Sequence, residues 1–179
     1  PFELMNITIS LISRILFDFS FHYSRIQDKE KHTNQIPFML VCEEAHNYIP
    51  RESSQDYKAS KRAIERIAKE GRKYGISLVA ISQRPSDVSK TILSQCNNFL
   101  VLRLSNDRDK SVIRNLLPDA LKGIIDQLPL LDVGEAIAVG DAILLPSRIL
   151  LNKPSLTPRS ATRNFWMEWD TKVADNDAI

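Results

Sequence analysis

Glycine and cysteine are scarce in this sequence, and their scarcity limits the sites that the chain can build. It has five glycines, and none forms the string G-x-x-x-x-G-K-[ST], so the chain cannot make that phosphate-binding loop by itself. Its two cysteines, Cys42 and Cys96, do not form a disulfide framework, which favours a reducing, cytosolic setting. Cys42 and His46 are too few ligands for a structural zinc site.

No uninterrupted apolar run reaches the roughly 18 to 20 residues of a membrane span. The segment 4–19 comes nearest, but six residues interrupt it: Asn6, Thr8, Ser10, Ser13, Arg14 and Asp18. It lacks the basic lead of a signal peptide, and a chain that opens at Pro1 is expected to be a fragment or a processed piece. We therefore expect a cytoplasmic protein with no membrane partner.

The length and composition fit one soluble globular domain. A chain of 179 residues can bury a sizeable core but is too short for two ordinary domains. The hydrophobic share of 43% and the charged share of 26% are those of a soluble protein. The net charge of +2 says little about partners, because the distribution of charge matters more than its sum.

Hydrophobic periodicity predicts strands that alternate with helices, which is typical of βαβ units and a parallel sheet. The predicted strands are 38–42, 76–82 and 99–104. The predicted helices are 3–24, 57–74, 87–95 and 107–117, with a shorter one at 119–125. A hairpin then follows, formed by 135–139, a turn at Gly140-Asp141, and 142–145. A proline-bearing tail covers 151–179 and is predicted to be disordered from about residue 173.

Two adjacent acids end the first predicted strand. Pro37 to Cys42 carry no charge and no glycine, and Glu43 and Glu44 follow at once. Neighbouring side chains at a strand end point to opposite sides, and ligands bind at this edge of an open α/β sheet. One acid can then hold a metal while the other handles a water molecule. The same residues also fit a buried strand that runs into a solvated acidic turn.

The helix predicted at 57–74 has one strongly basic side. Its cations are Lys58, Lys61, Arg62, Arg66, Lys69, Arg72 and Lys73, and Glu65 is the one acid among them. Such a side is usually a solvated face, but like charges repel unless an anionic partner shares the surface. Both interpretations stay open.

Four short sequence strings, taken together in their order along the chain, resemble the HerA family of the HerA/FtsK P-loop ATPases, and the resemblance covers about residues 1–170. They are Phe38-Met39-Leu40-Val41-Cys42-Glu43-Glu44-Ala45-His46-Asn47-Tyr48-Ile49-Pro50, Ile67-Ala68-Lys69-Glu70-Gly71-Arg72-Lys73-Tyr74-Gly75, Ile81-Ser82-Gln83-Arg84-Pro85-Ser86 and Gly134-Glu135-Ala136-Ile137. The first string resembles a Walker B motif, an apolar strand that ends in two acids.

The resemblance implies an α/β fold, namely the C-terminal half of a RecA-like P-loop ATPase sheet with helices on both faces. That half would cover residues 1–132, the hairpin 133–150 and the tail 151–179. The resemblance also implies a hexameric, ATP-driven DNA translocase or helicase. Family members work with a NurA-like nuclease in DNA repair, or with nuclease or sirtuin-like effectors in antiphage defence.

The resemblance also assigns roles to individual residues. Glu43 would support Mg²⁺, although Asp is commoner there, and Glu44 would polarise the water that attacks ATP. Gln83 matches a polar sensor of the γ-phosphate or of that water. Arg72 matches an arginine that reaches the ATP of a neighbouring subunit, with Arg66 and Arg62 as weaker candidates. A solvated cation remains the alternative for Arg72.

The missing glycine-lysine loop is the main departure from the family pattern, so we predict that the chain alone does not hydrolyse ATP. A fragment of a DEAH-box helicase is one alternative, because Glu43-Glu44-Ala45-His46 differs from DEAH by one letter. Those proteins carry Ser-Ala-Thr where this chain has Ser82-Gln83-Arg84. The second alternative is a non-catalytic module that assembles the ring and docks a partner.

Overall fold

The computed structural model describes residues 2–30, 36–52, 57–156, 165–167 and 169. The helices are α1 (Phe2–Glu30), α2 (Lys58–Glu70), α3 (Lys90–Gln95) and α4 (Asp107–Leu116). The strands are β1 (Phe38–Cys42), β2 (Ile76–Ala80), β3 (Asn98–Val101), β4 (Glu135–Gly140) and β5 (Ser147–Leu150). Short 3-10 segments cover Ala45–Asn47, Gly71–Tyr74, Pro85–Asp87 and Asp119–Leu130.

The strands form two sheets. β1 and β2 pair in parallel, from Phe38 opposite Ile76 to Cys42 opposite Ala80. β3, β4 and β5 form an antiparallel sheet in that order. The α/β class is confirmed, but the expectation that all three early strands share one parallel sheet is wrong. Periodicity identified β3 as a strand, yet it carries no information about the strand with which β3 pairs.

The predicted hairpin exists, but its second strand is five residues later than expected. β4 pairs with 147–150, whereas 142–145 form a loop in which Leu144 and Leu145 are exposed. Asn97 and Asn98 explain the shift, because their oxygens accept the backbone N–H groups of Asp141 and Ala142. A two-residue turn at Gly140-Asp141 is therefore replaced by a longer connection.

Gly140 itself is required where β4 meets β3. Its φ is +138°, and a Cβ built on it would lie 2.2 Å from the Asn97 carbonyl oxygen. A side chain at this position would force the two strands apart, which explains why a residue without a Cβ ends β4.

The parallel pair packs on α2 and α1. Ile64 and Ile67, on the apolar side of α2, are fully buried, and Ile67 clusters with Phe17 of α1 and Ile76 of β2. Full burial of each such side chain stabilises the fold by about 1.5–3 kcal/mol. α2 ends at Glu70, four residues before the predicted end at 74, and the 3-10 segment Gly71–Tyr74 continues to Gly75, which ends it in a left-handed conformation with φ of 75°.

α1 buries its polar side and exposes an apolar one. Five small polar side chains share the buried side with Phe17: Asn6, Ser10, Ser13, Ser20 and Ser24. On the opposite side, exposed apolar residues recur at steps of three and four, namely Leu4, Ile7, Leu11 and Ile15. Phe17 packs towards α2, where it clusters with Ile67 and lies against Arg66, while the larger apolar side chains on the opposite side of α1 have no cover in the described structure.

Residues 4–26 of α1 are long and apolar enough to cross a membrane by length and composition, with a mean hydropathy of 1.4. The core helix of a soluble protein passes the same test. Because a span does not require an uninterrupted apolar run, the absence of a membrane partner stays a prediction.

The antiparallel sheet has its own core, in which β3 and β4 pack against α4 and the 3-10 segment 119–130. Val101, Ile113, Leu128 and Ile137 are buried there together. Helix α4 starts as predicted at Asp107, where the Asn106 side chain accepts the N–H of Arg108 and caps the helix. The predicted disorder from about residue 173 lies outside the described residues.

Candidate functional site

The ends of β1 and β2 meet at one edge of the parallel sheet. The Ile81 N–H donates to the Cys42 carbonyl (2.8 Å), and the Ala45 N–H donates to the Ile81 carbonyl (2.9 Å). The parallel pairing thus continues beyond the last residues of both strands. The side chains that follow each strand are thereby placed next to one another.

Glu44 sits at the point where the chain turns away from β1. Its backbone is left-handed, with φ and ψ both 47°, and it is the one non-glycine residue with positive φ in the described part of the chain. This conformation costs a residue with a side chain about 1–2 kcal/mol. Such a strained residue at a strand end is a feature of functional sites.

Tyr48 holds this turn in place. Its side chain is buried, and its hydroxyl donates to the Glu43 carbonyl at 2.6 Å. Burial raises the pKa of Tyr48 well above the ordinary value, with smaller contributions from Cys42, Glu43 and Glu44. The hydroxyl therefore stays protonated and acts as a donor at neutral pH.

The structure brings together two of the residues that the sequence singled out. The Gln83 Nε2 donates to Glu44 Oε1 at 3.0 Å, so the tips of β1 and β2 are joined by their side chains. The second carboxylate oxygen, Oε2, is buried and accepts no hydrogen bond from the described residues. One oxygen of Glu44 is therefore fixed, and the other retains its capacity to accept a proton.

His46 and Ser82 complete this cluster, although sequence reasoning assigned neither of them a role. The His46 Nδ1 lies 3.0 Å from Ser82 Oγ and 3.4 Å from Glu44 Oε2. Ser82 Oγ also accepts the N–H of Arg84 at 3.0 Å. The signal was present, since polar residues follow both strands and parallel strand ends share one edge. We name Glu44, His46, Ser82 and Gln83 the tip cluster.

Glu43 is exposed at the same edge. No group of three or more His, Cys, Asp or Glu that could hold a metal occurs within the described ranges. Mg²⁺ keeps several waters and is usually bound by one or two carboxylates together with substrate phosphates. A single exposed carboxylate beside the tip cluster fits that chemistry, and Glu43 is the residue that would hold the ion.

Two of the three candidate arginines, Arg72 and Arg66, make no contact with the tip cluster in the described structure. Arg72 is exposed in the 3-10 segment that precedes β2, whereas Gln83 follows β2. Five strand residues separate these ends, which at 3.3 Å a residue is roughly 17 Å. Arg66 is bound to α1, because its guanidinium lies 4.0 Å from the centre of the Phe17 ring and 3.7 Å from Asp18.

The basic side of α2 is only partly neutralised within the protein. Lys61 donates to the Arg51 carbonyl at 3.0 Å, and Glu65 accepts the hydroxyl of Ser89 at 2.6 Å. A shallow cavity of about 230 Å³ is lined by Lys58, Lys61, Arg62 and Glu65. Arg62 and Lys69 are exposed, so cations face solvent along much of the helix.

Solved structures with a similar fold are viral NTPases. The genome-packaging NTPase B204 of Sulfolobus turreted icosahedral virus 2, in complex with ATP-gammaS, matches 66% of this chain and 52% of its own, with a TM-score of 0.52 and 14% identity. The DNA-packaging ATPase B204 of Sulfolobus turreted icosahedral virus matches 64% of this chain and 52% of its own, with a TM-score of 0.52 and 13% identity. The fold is therefore that of the P-loop NTPase class.

Curated relatives narrow this class. The DNA double-strand break repair helicase HerA of Pyrococcus furiosus is 36% identical over 130 residues, which are 72% of this chain and 23% of the relative. HerA of Sulfurisphaera tokodaii is 32% identical over 79% of this chain and 28% of the relative. HerA of Sulfolobus acidocaldarius is 32% identical over 82% and 29%. No family model matches the chain.

Over these matched residues the chain belongs to the HerA family, as its four strings indicated. The chain spans about a quarter of the length of these curated relatives.

Proposed function

We propose that this chain carries the hydrolytic residues of a HerA-type, ATP-driven DNA translocase or helicase. The observation that supports this most strongly is the geometry of Glu44, whose Oε1 accepts from Gln83 while its buried Oε2 has no donor among the described residues. The names of the relatives, DNA double-strand break repair helicases, point to the same activity.

In this proposal Glu44 is the general base for the water that attacks the γ-phosphate of ATP. A base must lie within hydrogen-bond reach of the proton that it takes, and the Glu44 side chain is 41% exposed, with lone pairs left beyond the one that Gln83 uses. Gln83 orients the carboxylate and contacts the attacking water or the phosphate. Glu43 supports Mg²⁺, which would neutralise charge on the phosphates.

The chain contains no phosphate-binding loop of the G-x-x-x-x-G-K-[ST] type, so polypeptide that bears such a loop must supply the other half of the site. We expect no ATP turnover from the chain alone and turnover once it is joined to the phosphate-loop half of a HerA ATPase domain. A phosphate-release assay on both proteins tests this. Turnover by the isolated chain, or none in a folded joined protein that binds ATP, would overturn the proposal.

Arg72 acts in a neighbouring subunit in this proposal. The length of β2 separates it from the tip cluster of its own chain, so it can assist hydrolysis only at another copy's site. We therefore propose a ring, with the hexamer of the family as the expected size. Arg66 is a weaker candidate for nucleotide contact, because it is packed on Phe17 and paired with Asp18.

The partners of the complete protein follow from the family resemblance. DNA would be bound through its phosphates by exposed cations such as Arg62 and Lys69, and binding should weaken as salt is added. A NurA-like nuclease, or a nuclease or sirtuin-like defence effector, would be the protein partner. We propose a cytoplasmic site of action, which agrees with two free thiols and no disulfide among the described residues.

A second candidate function is a non-catalytic module for ring assembly and partner docking. The exposed apolar side of α1 favours it, because a series of uncovered leucines and isoleucines marks a surface for another polypeptide. Replacing Glu44 in the complete protein separates the two functions. If the partner's activity persists without ATP turnover, docking is the main role.

A further inference from the structure

We propose that His46 is a positioning residue for Glu44, an inference that rests on the proposed function. The Nδ1–H of His46 would donate to Ser82 Oγ, which joins the end of β1 to the end of β2, and the same N–H would attract the Glu44 carboxylate, whose Oε2 lies 3.4 Å away without a hydrogen bond. This contact would hold the base in the orientation that hydrolysis requires. His46 would touch neither ATP nor the attacking water.

The distances support a defined tautomer. Nδ1 lies 3.0 Å from Ser82 Oγ and 3.4 Å from Glu44 Oε2, so one ring nitrogen faces both oxygens. A bare Nδ1 would direct its lone pair at a carboxylate oxygen, which is repulsive, whereas Nδ1–H attracts it. Ser82 Oγ already accepts the Arg84 N–H and has a second lone pair for Nδ1–H.

The surroundings fix the ring in this position. The His46 side chain is 18% exposed, and it belongs to the 3-10 segment Ala45–Asn47 that follows the left-handed Glu44. Ala45 is fully buried, and its N–H donates to the Ile81 carbonyl next to Ser82. The backbone is thereby held on both sides of the His46–Ser82 contact.

His46 also limits where the Glu44 carboxylate can go. Gln83 holds Oε1 on one side at 3.0 Å, and His46 faces Oε2 on the other at 3.4 Å. With both contacts the carboxyl group has one orientation, and with only Gln83 it can rotate about that single bond. Loss of orientation of a catalytic group reduces the rate of the chemical step more than it reduces substrate binding.

The kinetic test compares three variants of the chain joined to a phosphate-loop half: His46→Ala, His46→Asn and, as a control, His22→Ala on the exposed surface. We expect His46→Ala to lower kcat by about 10- to 100-fold with KM for ATP within about twofold. Asn carries an N–H donor near the position of Nδ1, so His46→Asn should recover most of that loss. His22→Ala should behave as wild type.

Glu44→Gln serves as the reference variant. If it keeps normal turnover, the proposed function is wrong. If it stops turnover while His46→Ala leaves kcat unchanged, the role of His46 is wrong and the proposed function stands. Equal kcat losses in the Ala and Asn variants, or a loss confined to KM, would also overturn the positioning role.

A spectroscopic readout needs no activity. The chain has three histidines, so ¹⁵N NMR of the 179-residue protein resolves each ring. We expect His46 to be mainly in the Nδ1–H form in the wild type and to lose that preference in Ser82→Ala. His22 should show the Nε2–H form that predominates in free histidine. A His46 ring in the Nε2–H form would contradict the inference.

Discussion

Replacing Glu44 by glycine should affect stability differently from the same change one residue earlier. Glu44 is left-handed, with φ of 47°, whereas Glu43 is outside that region. Glycine relieves a conformational cost of about 1–2 kcal/mol at Glu44. It adds an entropic cost of roughly 0.5–1 kcal/mol at either position. Loss of the exposed Gln83 hydrogen bond removes about 0.5 kcal/mol more from Glu44→Gly.

These contributions place Glu44→Gly between about 1 kcal/mol more stable and about 0.5 kcal/mol less stable than wild type, and they make Glu43→Gly less stable by about 0.5–1 kcal/mol. The free energy of unfolding is measured in urea at 25 °C for wild type and both variants. Glu43→Gly is the matched control, since it removes the same side chain next door. If Glu44→Gly destabilises the chain as much as Glu43→Gly does, Glu44 does not adopt the left-handed backbone conformation at the end of β1.

Three further predictions concern other contacts. Tyr48→Phe should lower the free energy of unfolding by about 1–3 kcal/mol, because it leaves a carbonyl at the tip of β1 without its buried donor; a change near zero in urea unfolding would contradict the contact. The Arg148 side chain and the Asp132 N–H lower the pKa of Glu135 below its ordinary 4.5. The ionised Glu135 carboxylate therefore stabilises the fold above pH 4.5, and this stabilisation is lost as the pH falls through the lowered pKa. Glu135→Gln should therefore reduce the midpoint of thermal unfolding near neutral pH and flatten its decline in acid, and an unchanged profile would exclude the pair. If Arg72 acts on the ATP of a neighbouring subunit, mixing the inactive Arg72→Ala and Glu44→Gln proteins in equal amounts should restore ATP turnover at about a quarter of the interfaces, namely those that combine an intact Arg72 with an intact Glu44. No recovery in mixed rings would exclude a role for Arg72 at the neighbour's site.

Sequence reasoning located β1, α2 and β2 well because their patterns are local. The amphipathic pattern of α2 places Ile64 and Ile67 in the core as expected, whereas Met39 and Val41 of β1 are exposed in the described structure although the sequence predicts a buried strand. The proximity of Glu44 and Gln83 followed from one physical rule, that parallel strand ends share an edge. The curated relatives agree with the family that the four strings indicated.

The errors concern contacts between residues distant in sequence. The predicted second hairpin strand differs from β5 because the Asn97 carbonyl and the Asn98 side chain accept the backbone N–H groups of Asp141 and Ala142, 44 positions later. Sequence reasoning did not place His46 and Ser82 in the tip cluster. Their approach depends on the left-handed backbone at Glu44, and this conformation is uncommon for any residue other than glycine, so the identity of Glu44 does not predict it. The polar buried side of α1 was missed because hydrophobic periodicity assigns the apolar side to the core.

Single-turnover hydrolysis of ATP by the Glu44→Gln protein, with the phosphate-loop half supplied, tests the central claim most directly. Glutamine can still accept from Gln83 but cannot take a proton from water, so bound ATP should persist unhydrolysed while its affinity stays near that of wild type. Conversion of the bound ATP to ADP at the wild-type rate would show that Glu44 is not the base.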